Sequence, residues 1–284
     1  MAAKQPALLD PKTFALRIRA IANALVFGQE SSRFRGAGIE FDQSRPYQPG
    51  DPVRHIDWRV SARTGKPFLK EYEAPRQIPV ILLIDDSLSM RISSVPNTSK
   101  FEEACLIAGG IALAATDRVN PVGFAGLGSL GFHRPPSASR DNLLNTLEEI
   151  RSLPPSPKTA IAPRISALLP SLPAKSLLVV LSDLHDPTAI PVLRNAAQRH
   201  DTIVIQLSDP SESNIPKHTI LRSGEAETGR SFTVGLRSTP SPTTPLTPLI
   251  QAAIDCIHIP IHRPYLPTLL RFLSDRSRRK TSRA

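Results

Sequence analysis

Short apolar runs alternate with amphipathic stretches along most of the chain from residue 78 onward. The continuous apolar runs at residues 78–84 and 176–181 are typical of strands that are buried on both faces. The stretch at 100–116 is rich in Ala and Leu and follows a capping box of Ser99 and Glu102, which predicts a helix. Strands that alternate with helices indicate an α/β fold with an open, mostly parallel sheet and helices on both faces.

The same patterns predict the remaining elements. An edge strand is expected at residues 68–73, and further strands at 119–125, 129–133 (as the hairpin partner of the strand before it), 202–207, 232–234 (as part of a hairpin) and 256–259. Further helices are expected at residues 141–151, 161–169, 187–199, 249–255 and 265–273.

The chain before the sheet has a different pattern. Asp10 and Pro11 are typical of the N-cap and first position of a helix, which we expect to end at Gly28. Residues 29–66 lack clear periodicity, which predicts an irregular, Arg/Asp-rich segment. The predicted organisation is a helix at 1–28, a segment at 29–77 that packs on the main domain, the α/β domain at 78–274 and a disordered tail at 275–284.

The net charge of +10 is concentrated at the two ends of the chain. Residues 1–77 carry 13 basic and 8 acidic side chains, and residues 271–284 carry 6 basic and 1 acidic. The part between them carries 16 of each and is neutral. A neutral body argues against a protein that reads nucleic acid, since such folds normally carry a basic face. We therefore expect the basic tail to be a solubilising end with, at most, weak peripheral membrane contact.

The composition also bears on the cellular location. The chain has 2 Cys, which excludes a disulfide framework and a zinc site built from Cys. Its apolar runs are shorter than the roughly 18 residues that a membrane span needs, and the N-terminus lacks the apolar region of a secretory signal. These features predict a soluble, cytoplasmic protein.

Polar residues that directly follow the buried strands define a candidate site. Asp85, Ser87 and Ser89 follow the first buried strand, and Asp183 follows the run at 176–181. In open α/β sheets, ligands bind at the carboxyl ends of the strands. Thr159, in the loop before the helix at 161–169, offers a third hydroxyl. Hard oxygen ligands from three loops suit Mg²⁺. His185, two residues after Asp183, is more typical of an exposed loop histidine.

This set resembles the metal-ion-dependent adhesion site of von Willebrand factor A domains. In that family the hydroxyls bind the metal directly, the carboxylates act mostly through water, and one coordination position is left for an acidic side chain of a partner. Ala160 follows Thr159 where family members often have Asp or Asn. The resemblance implies a von Willebrand factor A-like fold and a site for Mg²⁺, or for Mn²⁺ or Ca²⁺, formed by Asp85, Ser87, Ser89, Thr159 and Asp183.

A long signature at residues 41–63 resembles that of the prokaryotic family called domain of unknown function 58, or DUF58. Its matching residues are Arg45, Tyr47, Asp51, Arg54, Asp57, Trp58 and Arg63. Further matches are Asp209 with Pro210 and Glu212, and Glu227 with Thr228 and Gly229. Members have a von Willebrand A-like domain, and their genes often lie beside those of MoxR-type AAA+ ATPases. Many carry two N-terminal transmembrane helices, which the apolar runs of this sequence do not predict.

The signature has two physical interpretations. Its Arg and Asp residues alternate, and Arg side chains pair carboxylates in a bidentate manner, so the segment is a candidate structural latch on the sheet domain. Tyr47 and Trp58 offer flat surfaces, so the segment is also a candidate docking face for a partner. The latch predicts a buried Asp57 and a Trp58 that packs on the sheet domain.

We therefore expect a non-enzymatic, metal-dependent protein-interaction module. The resemblance implies an adaptor or co-chaperone of a MoxR-type AAA+ ATPase, which captures partners through an acidic side chain. One alternative is a metal-dependent hydrolase at the same acidic edge, although the sequence offers no evident general base. A second alternative is nucleic-acid binding through the basic termini.

Overall fold

The computed structural model describes residues 8–30, 40–73, 77–140, 142–157, 159–173, 175–213, 220–224, 231–235 and 246–281. The chain divides into two compact units. The larger unit comprises Met1–Gln29 and Ile78–Ala284, and the smaller unit is Glu30–Gln77. Glu227, Thr228 and Gly229 of the predicted signature lie outside the described residues.

The elements of both units are numbered together along the described residues. The helices are α1 (Pro11–Glu30), α2 (Trp58–Thr64), α3 (Leu88–Arg91), α4 (Lys100–Thr116), α5 (Leu143–Ser152), α6 (Ile161–Leu168), α7 (Ala189–Arg199), α8 (Pro210–Ser213), α9 (Thr247–Gln251) and α10 (Leu266–Thr281). The strands are β1 (Glu40–Pro46), β2 (Phe68–Glu73), β3 (Val80–Ile84), β4 (Val122–Gly126), β5 (His133–Ser137), β6 (Leu177–Ser182), β7 (Asp201–Ser208), β8 (Ile220–Gly224), β9 (Ser231–Gly235) and β10 (Asp255–Pro260). Single 3-10 turns occur at Val53–His55 and Leu169–Ser171. None of the described helices combines the length and the apolar character that a membrane crossing requires.

The described part of the larger unit is organised around a sheet of six strands in the order β10-β7-β6-β3-β4-β5. Its neighbouring strands are parallel except for the antiparallel pair β4 and β5. Strands β8 and β9 form a separate antiparallel pair. The predicted α/β class with a mostly parallel sheet is therefore confirmed, and β3 and β6 end side by side at the centre of the carboxyl edge.

Both faces of the sheet are covered by helices. Val80, Leu82 and Ile84 of β3 belong to an apolar cluster that includes residues of α1, α4, α5 and α10. Ile81 and Leu83 point to the other cluster, with residues of α6, α7 and α9. Because strand side chains alternate between faces, a strand that is apolar at every position must be covered twice. The apolar run predicted this burial correctly for residues 80–84, whereas Ile78 lies before β3 and is exposed.

Several predicted boundaries differ from the structure, and turn residues explain some of the differences. Helix α1 continues past Gly28 to Glu30. Val119 has φ 60° in the turn that follows α4, so β4 begins only at Val122. The hairpin partner of β4 is β5 at His133–Ser137 rather than the predicted 129–133, because 129–132 form the connection, with Gly131 at φ 58°. Apolar spacing does not detect such left-handed turn residues.

The predicted disordered tail at 275–284 is wrong for the residues that the structure describes, because α10 continues to Thr281. Arg276 donates from Nε to Asp255 Oδ2 at 2.8 Å and also pairs with Asp201. These carboxylates stand at the starts of β10 and β7. Leu269 of the same helix is fully buried in the core. Residues 282–284 of the predicted tail lie outside the described residues.

The smaller unit also differs from the expected irregular segment. Strands β1 and β2 pair antiparallel, and α2 lies between them in sequence. Asp57 caps α2 by accepting hydrogen bonds from the backbone N–H groups of Arg59 and Val60, and Gly65 ends it at φ 71°. Strand β2 matches the edge strand predicted at 68–73. Local polar contacts rather than apolar periodicity specify α2, which is why the pattern did not reveal it.

The first turn of α4 is buried although it carries three charged side chains. Ser99 caps the helix by accepting a hydrogen bond from the Glu102 N–H at 3.1 Å. Lys100 points to the end of β6, and Glu102 pairs with Arg151 of α5. Glu103 accepts hydrogen bonds from Arg17 of α1 and from the Tyr265 hydroxyl. Buried charges require such partners, so this turn fixes the position of four neighbouring segments.

Arg151 joins α5, α4 and the start of α1. Its guanidinium, 2% exposed, donates to both carboxylate oxygens of Glu102 at 2.6 and 3.1 Å and to the Leu9 carbonyl at 2.8 Å. It also pairs with Glu148 and stacks 3.8 Å from the centre of the Phe14 ring. The cation–π contact and the bidentate pair together hold the N-terminal helix on the core.

We predict that Arg151→Met lowers the free energy of unfolding by about 3–5 kcal/mol, because it leaves Glu102 buried without its counter-charge. The double variant Arg151→Met/Glu102→Leu removes both charges and should lose less stability than the single variant. Urea unfolding followed by far-UV circular dichroism measures both. A double variant that is as unstable as the single one would show that the pairing of these two charges is not what holds the helices together.

Candidate metal centre at the carboxyl edge of the sheet

Four of the five predicted site residues meet where β3 and β6 end. Asp85 directly follows β3, and Asp183 directly follows β6. Both side chains are fully buried. Ser87 Oγ lies 3.0 Å from Ser89 Oγ, and Ser89 Oγ donates to Asp183 Oδ2 at 3.1 Å. We call Asp85, Ser87, Ser89 and Asp183 the Asp85 site.

Asp85 is held by polar contacts on both of its oxygens. Oδ1 accepts a hydrogen bond from the Ser87 N–H at 3.1 Å, and Oδ2 accepts one from Ser182 Oγ at 2.6 Å. Burial and the negative charge of Asp183 raise the pKa of Asp85 to about 7, although the hydrogen bonds from Ser182 and Ser87 oppose this. Two carboxyl groups that share a buried site repel each other when both are ionised, so the pair favours a cation between or beside them.

A lysine ammonium already contacts one of these carboxylates. Lys100, 1% exposed, donates from Nζ to Asp183 Oδ2 at 2.8 Å and also pairs with Glu212 of α8. Burial alone would raise the pKa of Asp183, but the charges of Lys100 and His185 hold it well below its usual range. Burial also disfavours the charged Lys100, but Asp183 and Glu212 raise its pKa, so the ammonium is retained.

His185 is part of this cluster rather than a free loop residue. Its Nδ1 lies 3.2 Å from Asp183 Oδ2, and the pKa of His185 is raised by Asp183 in spite of burial. Ligand atoms of Asp183, His185 and Glu212 lie within 4.8 Å of one another. The sequence analysis interpreted His185 as an exposed loop histidine, and this interpretation was wrong. Lys100 was not identified as a member of the cluster. The match of Glu212 to the DUF58 signature was the available indication for that residue.

Thr159 stands at the neighbouring strand. It lies in the loop before α6, and its backbone forms a bridge with Gly128, just beyond the end of β4. The adjacent Ala160 donates its N–H to the Leu127 carbonyl at 2.9 Å.

Asp86 connects the three loops that surround the site. Its Oδ1 accepts a hydrogen bond from the Gly128 N–H at 2.6 Å, and its Oδ2 accepts one from Ser156 Oγ at 2.8 Å. The Ser156 N–H donates to the Asp86 carbonyl at 2.8 Å, and the Ser156 carbonyl accepts a hydrogen bond from the Leu88 N–H at 2.9 Å. A Cβ at Gly128 would lie 2.3 Å from Ser156 Cβ, so this approach requires glycine. Asp86 therefore has a structural role beside the candidate ligands.

Asp209 positions α8 and, through it, Glu212. Its carboxylate accepts hydrogen bonds from Ser93 Oγ at 2.8 Å and the Ser94 N–H at 2.9 Å, and from both the hydroxyl and the N–H of Ser211. The Asp209 N–H donates to Glu212 Oε2 at 3.1 Å. Burial would raise the pKa of Asp209, but the hydrogen bonds from Ser211 and Ser94 lower it to about 2.

The oxygen atoms of the Asp85 site are of the kinds that bind a hard divalent cation. They are two hydroxyls and two carboxylates, the oxygen ligands that Mg²⁺ prefers when it keeps several waters. The Lys100 charge beside Asp183 offsets part of the acidic charge and would weaken the attraction for such an ion.

Comparisons with known proteins give the following likenesses. A family model described as "Protein of unknown function DUF58" matches residues 43–240. "Uncharacterized protein Rv1480" of Mycobacterium tuberculosis and "Uncharacterized protein Mb1516" of Mycobacterium bovis are each 27% identical over 246 residues, or 79% of this chain and 75% of the relative. The solved "Crystal Structure of Uncharacterized Membrane Spanning Protein from Vibrio fischeri" covers 70% of this chain and 98% of its own, at 11% identity and a TM-score of 0.25. This score is too low to support an argument from that structure.

We predict that Asp209→Asn destabilises the protein, and that the loss is about half as large at pH 3 as at pH 7. The folded pKa of Asp209 is depressed, so its stabilisation is fully present above the unfolded value and is lost as the pH falls toward 2. Urea unfolding of both proteins at the two pH values measures this difference. An equal loss at both pH values would mean that the ionised form of Asp209 does not hold α8.

Proposed function

This chain belongs to the DUF58 family, and we propose that it is a non-enzymatic protein-interaction module that binds partners through a divalent cation at the Asp85 site. The observation that carries the proposal is the meeting of Ser87, Ser89 and Asp183 beside Asp85 at the carboxyl ends of two central strands. This is the place where open α/β sheets bind their ligands.

The Asp85 site would hold Mg²⁺, or Mn²⁺ or Ca²⁺, through Ser87 and Ser89, with Asp85 and Asp183 as its carboxylates and Thr159 as a further member. When bound, the ion supplies a coordination position for a carboxylate of a partner protein. The Ser89–Asp183 hydrogen bond holds one hydroxyl of the site in place. On this proposal the larger unit has a von Willebrand factor A-like fold.

The partner that we propose is a MoxR-type AAA+ ATPase, for which this protein acts as an adaptor or co-chaperone in the cytoplasm. The support for this part is the resemblance of the signature to DUF58 proteins, whose genes often lie beside those of such ATPases. An acidic side chain of the ATPase or of its client would then be the group that reaches the ion.

A hydrolase at the same edge remains the second candidate because His185 Nδ1 lies 3.2 Å from Asp183 Oδ2. An imidazole oriented by a carboxylate is an arrangement that general bases use. Assays for phosphatase, esterase and nuclease activity with and without Mg²⁺ separate the two functions. Turnover that is lost in Asp85→Ala would favour the hydrolase over the binding module.

We predict that Ser87→Ala weakens Mg²⁺ binding by about tenfold or more, since it removes one oxygen ligand from the site. Isothermal titration of the full chain with Mg²⁺ and with Mn²⁺ measures the affinity. Ser166→Ala, at an exposed position of α6, is the matched control and should bind like the wild type. Equal affinities of all three proteins would contradict a metal at the Asp85 site. Mg²⁺-dependent capture of the purified ATPase, lost in EDTA and in Ser87→Ala, tests the partner.

We also predict that Lys100→Met tightens Mg²⁺ binding by about tenfold, because it removes the ammonium that contacts Asp183. In EDTA the variant should have a lower melting temperature than the wild type, since Asp183 and Glu212 lose their counter-charge. Mg²⁺ should raise that melting temperature more in the variant than in the wild type. The control Lys175→Met, at an exposed position, should change neither quantity. Unchanged or weaker Mg²⁺ binding in Lys100→Met would show that the ammonium does not compete with the ion.

A further inference from the structure

The smaller unit exposes a large aromatic side chain beside several arginines. Trp58, the first residue of α2, is 70% exposed, and Val53 in the turn before it is 60% exposed. Arg54, Arg59 and Arg63 are exposed as well. We call these five residues the Trp58 surface. Trp58 is thus exposed to solvent, whereas the latch interpretation predicts a Trp58 that packs on the sheet domain.

The position of Trp58 is determined by the buried side of α2. Asp57 is buried, caps the helix through two N–H groups and accepts a hydrogen bond from Ser44 Oγ at 3.0 Å. On the same side, Ser61 Oγ accepts a hydrogen bond from the Phe68 N–H at 2.8 Å. At about 100° per residue, Arg59 and Arg63 then lie on the opposite side of the helix, and Trp58 lies on its flank. The fold therefore holds Trp58 outward on an anchored helix.

The positive charge of the Trp58 surface is not neutralised by the described side chains of its unit. Asp51 is engaged by Arg45 in a bidentate pair at 2.7 and 2.8 Å, and Asp57 caps α2. Arg54, Arg59 and Arg63 make no ion pair with any described side chain. The surface thus combines an exposed indole with three guanidinium groups that no described carboxylate pairs.

We propose that the Trp58 surface binds an acidic segment of a partner protein that carries apolar side chains between its carboxylates. Trp and Arg are the residues that contribute most to protein–protein interfaces, and the three arginines select for carboxylates. Val53 adds an aliphatic contact, which suits an apolar side chain better than a nucleobase. Binding of single-stranded nucleic acid uses several stacked rings along a groove, whereas the described residues of this surface include a single aromatic ring.

This inference is independent of the metal site, since the Asp85 site lies in the other unit. On this inference the exposed residues of the signature bind a partner, and the buried Asp57 stabilises α2 as its N-cap. Each unit would therefore have a site that recognises acidic groups, through arginines in the smaller unit and through the proposed ion in the larger one.

The test uses the fluorescence of the full chain, because Trp58 is its single tryptophan. We expect a synthetic peptide of alternating Glu and Leu to change the emission and to bind saturably, and the same peptide with Gln in place of Glu to bind much more weakly. Arg59→Glu/Arg63→Glu should weaken binding by about tenfold or more, because two attractive contacts become repulsive. The control Arg118→Glu/Arg194→Glu has the same net charge at exposed positions of the larger unit and should bind within about twofold of the wild type.

Three results would overturn the proposal. Equal binding by both double variants would show that the peptide senses only net charge. Tighter binding of a 15-nucleotide oligothymidylate than of the acidic peptide, again dependent on Arg59 and Arg63, would assign the surface to nucleic acid. Poor quenching of Trp58 by acrylamide in the free protein, together with a lower melting temperature of Trp58→Ala, would show that the indole is covered by the chain itself.

Discussion

The burial of three ionised side chains in the first turn of α4 is the constraint on which the rest of the larger unit depends. Each buried charge needs an opposite charge within reach, and Lys100, Glu102 and Glu103 point in three directions. Asp183 joins Lys100 to the end of β6, and Arg151 joins Glu102 to α5. Glu103 pairs with Arg17 of α1 and also accepts the Tyr265 hydroxyl, which fixes the segment before α10. Apolar packing holds these helices against the sheet, and the ion pairs determine their positions and orientations on it.

The same constraint influences the chemistry of the candidate site. The Asp183 oxygen that Lys100 contacts also accepts the Ser89 hydroxyl, so one atom takes part both in the structural ion pair and in the donor set. A divalent ion at the Asp85 site would therefore have to share this carboxylate with the ammonium. The affinity of the site for an ion therefore depends on the positions of α4, which carries Lys100, and of α8, which carries Glu212.

The sequence was informative where structure follows from local pattern. The apolar runs predicted the central strands, and the rule that parallel strands end at one edge predicted that Asp85 and Asp183 meet. Lys100 could not be identified in this way, because its partners lie 83 and 112 residues away and a lysine after an N-cap is ordinarily solvated. The ion pairs of Arg276 could not be predicted for the same reason. The high density of basic residues at 275–284 therefore led to the prediction of a disordered tail where the structure has the end of α10. The side of α2 that faces solvent depends on Asp57 and Ser61, whose partners no periodicity reveals.

The contact of Arg276 with Asp255 and Asp201 has a consequence for the design of shorter versions of this protein. A fragment that ends at residue 274, where the composition suggests a domain boundary, would lose this guanidinium and keep both carboxylates. The two acidic groups at the starts of β10 and β7 would then repel each other across neighbouring strands. Strand β10 is also the edge strand of the described sheet, and a loosened edge strand is a template for pairing with other chains. The last turns of α10 therefore hold an edge strand in place, and this protects the edge from pairing with other chains.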